Sequence, residues 1–188
     1  MSNPDDILPP QRLRTMQIVA GTLLMGVLIF LGIVLYLVLV QNQGVGTAPP
    51  GDLPLLSLLA VAFFVIQAPL SFVVPRFLIQ AALRQIASGG WKLPPGANAT
   101  DLGTDASKLL AVRQTSLIVG LALVEGTAFF ACIAYLLEAQ PWVLAIILAC
   151  VLLMMVNFPT EGRVRSWLAG QADQLDQLRR QGDAAGQR

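Results

Sequence analysis

The sequence predicts an all-α integral membrane protein with four transmembrane helices, arranged as two parallel pseudo-repeats, together with two cytoplasmic surface helices. Two features of the composition predict this class. Of the 188 residues, 55% are hydrophobic and only 12% are charged, and the mean hydropathy is +0.68, whereas an average soluble domain is about 25% charged. The charged residues are also unevenly spread, because they leave charge-free runs at 15–51, 53–75, 114–124, 126–137 and 139–160.

The first half of the chain predicts two spans. After a cytoplasmic N-terminus at 1–15, residues 16–40 carry no charge, and as a helix they rise about 37 Å, more than the hydrocarbon core of about 30 Å. A signal peptide is the alternative for this run, but the run is longer than an h-region and no A-x-A-like cleavage site follows it. An outside loop at 41–54, rich in Gly and Pro, then leads to the second span at 55–74.

Two prolines mark the second span and its end. We expect Pro69 to kink the helix and Pro75 to change the direction of the chain. Residues 76–88 predict an amphipathic helix on the membrane surface, followed by a cytoplasmic loop at 89–104. The side chains expected to contact the membrane in this region are Ile79, Leu83, Ile86 and the interfacial anchor Trp91.

The second half predicts a similar succession of elements. A long helix at 105–137 enters the membrane after Arg113, and a tight outside turn at 138–141 follows it. The fourth span, 142–158, is at the short end of the range for a transmembrane helix. A second amphipathic helix is predicted at 160–180, and a tail follows at 181–188. Trp167 and Leu168 are the expected membrane contacts of this helix, with their side chains against acyl chains or the helix bundle.

The basic residues predict the orientation. All twelve Lys and Arg lie in the N-terminus, in the segment 76–113 or in the C-terminus, and none lies in either outside loop. The positive-inside rule then places both termini in the cytoplasm and the protein in the plasma or inner membrane. The same basic residues could also contact anionic lipid headgroups, although topology alone explains their distribution.

An internal repeat is predicted by a shift of 99 residues. This shift places Arg14 on Arg113 and gives six identities in 25 positions, including Phe30 on Phe129. In both halves a proline follows the second span and a basic amphipathic helix follows the proline. Parallel repeats about an axis along the membrane normal have this pattern, and chance similarity between Leu- and Gly-rich helices is the alternative.

The candidate site is an intramembrane carboxyl group. Glu125 lies in the middle of the third span, and the repeat aligns it with Gly26 at about the same depth. A charge at this depth costs about 3 kcal/mol on insertion scales, so the acid should be protonated or paired. We expect Gln67 to hydrogen-bond to it across the bundle, and Thr127 to add a hydroxyl group nearby.

This carboxyl group has two interpretations. It is either a proton or ion site, or a buried hydrogen bond that fixes the packing of helices or subunits. The first interpretation would be favoured by a relay of further ionisable groups, but no second acid, His, Lys or Arg lies within the predicted spans. Both interpretations remain open at the level of the sequence.

One segment resembles a known family. Residues 113–137 read RQTSLIVGLALVEGTAFFACIAYLL, which is similar to the carboxylate-bearing helix of the c-type rotor proteolipids of rotary ATP synthases. That helix also begins near a cytoplasmic Arg and carries G-x-A-L-x-E before an apolar run. The tandem four-span layout resembles duplicated vacuolar-type proteolipids.

The resemblance implies that Glu125 carries the ion and that Gly120 and Ala122 are its packing neighbours. The chain departs from the family in its second span, 55–74, which has no glycine, and in its surface helices, which have no counterpart there.

Other site chemistry is not apparent in the sequence. There is no histidine and no motif of a hydrolase, a metalloprotease or a phosphate-binding loop. Cys132 and Cys150 lie in apolar runs and are expected to be reduced. We therefore expect no catalytic site, cofactor, metal or nucleic-acid partner.

The predicted function is self-association, or a subunit role in a membrane complex, in contact with the lipid bilayer. The alternative is proton translocation at Glu125.

Overall fold

The computed structural model contains five α-helices and no strand in the part of the chain that it describes, which is residues 10–40, 53–91 and 105–186, with side chains described for 13–40, 53–91 and 105–180. About 90% of it is helical. The predicted loops at 41–54 and 89–104, the N-terminus at 1–15 and the tail at 181–188 lie largely outside these residues. The helices are α1 (Pro10–Leu39), α2 (Leu55–Ala87), α3 (Asp105–Glu138), α4 (Val143–Val156) and α5 (Glu161–Gly186).

Three helices are long and apolar enough to cross a membrane, namely α1, α2 and α3. The fourth apolar helix, α4, has only 14 residues, which rise about 21 Å. It reaches the length of a span only when α5 is counted with it. The all-helical class and three to four candidate spans are therefore confirmed, while the fourth span at 142–158 and the pseudo-repeat stay predictions.

The second span differs from its predicted form. Residues 55–74 and 76–88 do not form two helices, because α2 runs without interruption through Pro69 and Pro75. Proline has a φ value that suits a helix, and the backbone carbonyl that it leaves without a partner is tolerated in apolar helices. The neighbours of Pro75 are Val73, Val74, Arg76 and Phe77. None of these side chains is a usual helix cap, so the helix does not end there.

The chain does break at the corresponding proline of the second half. Asn157 follows the last residue of α4, and both its backbone N–H and its Nδ2 donate to the Leu153 carbonyl, the latter at 2.8 Å. On the other side of Pro159, the N–H of Val164 donates to Thr160 at the start of α5. The two halves therefore differ at the position where the repeat predicts the same exit, because only in the second does a side chain, that of Asn157, cap the helix before the proline.

The helices divide into two compact units, which we name by their residues. The span unit comprises residues 18–73 and 118–158, and the flank unit comprises 1–17, 74–117 and 159–188. Both α2 and α3 contribute a segment to each unit.

In the span unit, α3 is the most enclosed helix. In its apolar stretch 44% of the residues are buried, against 11% in α1 and 17% in α2. Small residues on α3 allow the other helices to approach it closely. A cluster of buried side chains in this unit draws on four helices and consists of Val34, Ala60, Ala131, Cys132, Ala134, Tyr135, Val143 and Ile147.

In the flank unit, the apolar stripes of both amphipathic segments are buried in protein. Four of the six side chains predicted to contact the membrane are enclosed: Ile79, Leu83, Ile86 and Leu168. The prediction of lipid contact is therefore corrected for Ile79, Leu83 and Ile86. Burial of Leu168 agrees with the alternative that it packs against the helix bundle, and Trp91 and Trp167 are half-buried. An amphipathic pattern shows only that one face avoids water, and here Leu109 and Leu110 of α3 supply further apolar side chains to the same unit.

Ion pairs on the surface of the flank unit join α3 to α5. Asp105 accepts from Arg179 at 2.7 Å and from Lys108 at 3.3 Å. Partial burial disfavours the charged carboxylate, but the hydrogen bonds and positive charges of Arg179 and Lys108 outweigh it and lower the pKa of Asp105. Near the other end of α5, Gln17 of α1 donates to the carbonyl of Pro159 at 3.2 Å.

Candidate functional site

The candidate carboxyl group lies between α3 and α1 in the span unit. The Oε1 atom of Glu125 is 3.7 Å from the position that a Cβ atom would occupy on Gly26. The sequence-predicted proximity of Glu125 and Gly26 is thus present as a direct approach. A small residue at position 26 leaves room for this approach, because even a Cβ atom there would be at an ordinary contact distance from the acid.

Two aromatic rings complete this contact. Phe129 lies one turn after Glu125 on the same face of α3, and Phe30 lies one turn after Gly26 on α1. The two rings meet edge to face with centroids 5.2 Å apart. The pairs Gly26/Phe30 and Glu125/Phe129 therefore pack against each other, and the carboxyl group has an apolar ring beside it.

Gln67 does not form the predicted hydrogen bond with Glu125 in the described part of the chain. Its Oε1 atom is buried without a hydrogen-bond partner. The reason is the arrangement of helices around α3. The contact from α2 is the stacked pair Phe63–Phe130, and Phe130 lies about 140° around α3 from Glu125, so α1 and α2 pack on different faces.

Thr127 does not join the site either. Its hydroxyl group donates to the carbonyl of Leu123 on its own helix at 3.0 Å, and the side chain is buried. Two residues along a helix correspond to a rotation of about 200°, so Thr127 and Glu125 face opposite sides of α3.

Glu125 is left without a polar partner. The side chain is half-buried, and it has no ion pair or hydrogen bond among the described residues. A carboxyl group in this setting can hold a proton, or can accept or donate a hydrogen bond from outside this bundle. The described residues contain no group of three or more His, Cys, Asp or Glu side chains that could hold a metal ion.

No family model matches the chain, and no similar curated protein or solved structure was found.

Sequence reasoning missed a second carboxylate, Glu138, which it assigned to the outside turn. Its Oε1 accepts from the N–H of Leu56 and its Oε2 from the N–H of Ser57, both at 2.8 Å. These are the free amides of the first turn of α2, since the first backbone bond of this helix ends on Pro54. Proline has no capping side chain, so a residue from the end of α3 performs that function.

The ionisation of Glu138 follows from this contact. Burial opposes the charge, but the hydrogen-bond donors of Ser57 and Leu56 outweigh it and hold the pKa of Glu138 below its ordinary value. The charge also lies at the positive end of α2. The signal in the sequence was Pro54 at a helix start without a capping residue, combined with an acid in a short turn, but only the fold shows that the two meet.

Proposed function

We propose that the chain is a non-enzymatic, multi-pass membrane protein that acts by association with itself or with another membrane subunit. The observation that carries the proposal is Glu125. A half-buried carboxyl group in the middle of an apolar helix, with no polar partner among the described residues, is costly next to lipid. A neighbouring subunit that donates a hydrogen bond, or accepts one from the protonated acid, removes this cost.

The exposed apolar surface supports this proposal. Both α1 and α2 leave large hydrophobic side chains uncovered, among them Ile29, Val65 and Ile66, each about 60% exposed. Such surface requires lipid or another helix as its neighbour. We place the protein in the plasma or inner membrane, where the bilayer and further copies of the chain are its partners.

The flank unit supports a topology with both termini on one side. Its three segments are distant in sequence. Together they contain all twelve Lys and Arg residues of the chain. A compact unit lies on one side of a membrane, and its basic composition favours the cytoplasm. On this proposal α4 crosses the bilayer as a short fourth span.

Substitution of Glu125 tests the association. Glu125→Gln retains hydrogen bonding and should preserve the oligomer, whereas Glu125→Leu should convert it to monomer, as measured by native mass spectrometry in mild detergent. Gly126→Ala is the matched control, because a Cβ atom there meets nothing within 4 Å. A monomeric wild-type protein with no co-purifying subunit would contradict the proposal.

The second candidate function is proton translocation, as in the c-type proteolipids that residues 113–137 resemble. The surroundings of Glu125 favour proton translocation. Its carboxyl group lies against Gly26 and has no fixed partner among the described residues, and such a group can exchange a proton. A carbodiimide should then modify Glu125 at low pH and less at high pH, and Glu125→Gln should abolish proton flux in proteoliposomes while it preserves the oligomer. Equal flux in the wild type and Glu125→Gln excludes this function.

A further inference from the structure

Arg113 occupies an unusual position in the flank unit. It lies on the inward face of α3, one turn from Leu109, Leu110 and Leu117, all of which are buried. The side chain is half-buried, and its guanidinium carbon lies 5.2 Å from the centre of the Trp167 ring on α5. A cation–π contact supplies no oxygen acceptor, so the N–H donors of the guanidinium still need partners.

No acid among the described residues neutralises this cation. In the described part of the chain Arg113 makes no ion pair and no side-chain hydrogen bond. The nearest acid on α3, Asp105, is held by Lys108 and Arg179, and Glu161 of α5 is paired with Arg165. A partly buried guanidinium without a counter-charge is costly, and an anion that binds to it restores the balance.

A second polar group in the same unit has no partner. The Oε1 atom of Gln171 is buried without a hydrogen-bond donor. Gln171 lies one turn after Trp167 on α5, about 6 Å along the helix. The complementary ligand therefore carries anionic oxygens for Arg113 and a hydroxyl donor for Gln171.

The position along α3 indicates the source of this anion. Arg113 is the last charged residue before the charge-free run at 114–124, and indole rings such as that of Trp167 favour the membrane interface. The phosphate groups of lipids lie at the membrane interface. We propose that Arg113 and Trp167 bind the phosphate group of an anionic phospholipid, and that Gln171 accepts a hydrogen bond from a hydroxyl group on its headgroup.

Thermal unfolding in nanodiscs tests this proposal. Replacement of phosphatidylcholine by phosphatidylglycerol should raise the Tm of the wild type by about 5–10 °C at saturation. Arg113→Met should lose this increment and unfold at an unchanged or higher Tm in phosphatidylcholine, since an uncompensated charge is removed. Arg84→Met is the matched control, because Arg84 is an exposed cation of the same unit, and it should retain the increment.

Two further measurements identify the ligand. Gln171→Leu should reduce the difference in Tm between phosphatidylglycerol and phosphatidylmethanol, an anionic lipid whose headgroup has no hydroxyl group. Inorganic phosphate added to phosphatidylcholine nanodiscs should leave the Tm unchanged. An Arg113-dependent rise with inorganic phosphate would overturn the lipid assignment and assign the site to a free phosphate.

The proposal fails if Arg113→Met keeps the full phosphatidylglycerol increment, because Arg113 then serves packing alone. If this variant does not fold, Arg113→Lys replaces it in the same measurement. Lysine keeps the charge but not the two-pronged geometry, so its increment should be smaller than that of the wild type. An undiminished increment in Arg113→Lys overturns the proposal.

Discussion

Two acids on one helix show how local surroundings set the role of a carboxyl group. Glu138, at the end of α3, accepts two backbone hydrogen bonds from α2, and its charge is stabilised there. Glu125, in the middle of α3, faces Gly26 and an aromatic ring and has no donor among the described residues. Glu138 therefore links α3 to α2 by hydrogen bonds, whereas Glu125 can bind a proton or contact a neighbouring subunit.

Removal of the Glu138 carboxylate should destabilise the protein in a pH-dependent way. We expect Glu138→Gln to lower the free energy of unfolding by about 0.5–1 kcal/mol at pH 7, because the first turn of α2 loses its anionic acceptor. Since the pKa of Glu138 is lowered in the folded state, its stabilising contribution is present above the unfolded value of about 4.3 and is lost as the pH falls through the folded value. Thermal unfolding of both proteins between pH 7 and pH 3 measures this, and a difference that persists unchanged at pH 3 would contradict it.

Gly26 should tolerate one methyl group and no more. A Cβ atom there would lie 3.7 Å from Glu125 and 3.9 Å from Phe129, which are ordinary contacts, so Gly26→Ala should leave the Tm unchanged or higher. The branched side chain of Gly26→Leu would overlap both groups and should cost about 1–3 kcal/mol. Gly32→Leu is the control because nothing lies within 4 Å of Gly32, and equal losses in the two leucine variants would contradict the contact.

At the scale of the element, capping residues rather than prolines decide where helices end. The helix α2 continues through Pro69 and Pro75, whereas the chain breaks around Pro159. Asn157 precedes that proline, and its side chain donates to the Leu153 carbonyl at the end of α4, while the neighbours of Pro75 have no such function. A proline removes one hydrogen bond, but the ends of a helix expose several groups that must find partners.

Apolar burial, and not its surface ion pair, should hold α5 in the flank unit. Leu168 is 4% exposed, so Leu168→Ala should cost about 2–5 kcal/mol and make residues 160–180 sensitive to protease. Arg179→Gln breaks a half-exposed pair and should cost less than about 1 kcal/mol. Limited proteolysis in detergent measures the cleavage of both variants, and Ala169→Ser on the exposed face of α5 is the control. Greater cleavage in Arg179→Gln than in Leu168→Ala would contradict the prediction.

At the scale of the whole molecule, the number of membrane crossings depends on α4. Its 14 residues are short for a span, and length and hydropathy alone give either three or four crossings. The proposed topology, in which the basic flank unit lies on one side of the membrane, requires four crossings.

Cysteine labelling should verify this topology. In a background without Cys132 and Cys150, a cysteine at Gln140 should react with an impermeant reagent in intact cells. Cysteines at the exposed positions Ser88 and Ala169 should react only after permeabilisation. Reaction at Ala169 together with Gln140 in intact cells would show that α4 does not cross the membrane and that the chain has three spans.

The sequence by itself determined the membrane class, the bounds of α3 to within a residue and the place of Glu125 in the middle of an apolar helix, because apolar runs and charge placement are local properties. Only the tertiary structure decided that α2 is continuous, that the amphipathic stripes are buried in protein, and that Glu138 caps α2. These depend on which faces of α3 the other helices cover, and a hydrophobic pattern shows only that a face avoids water, not which apolar surface covers it.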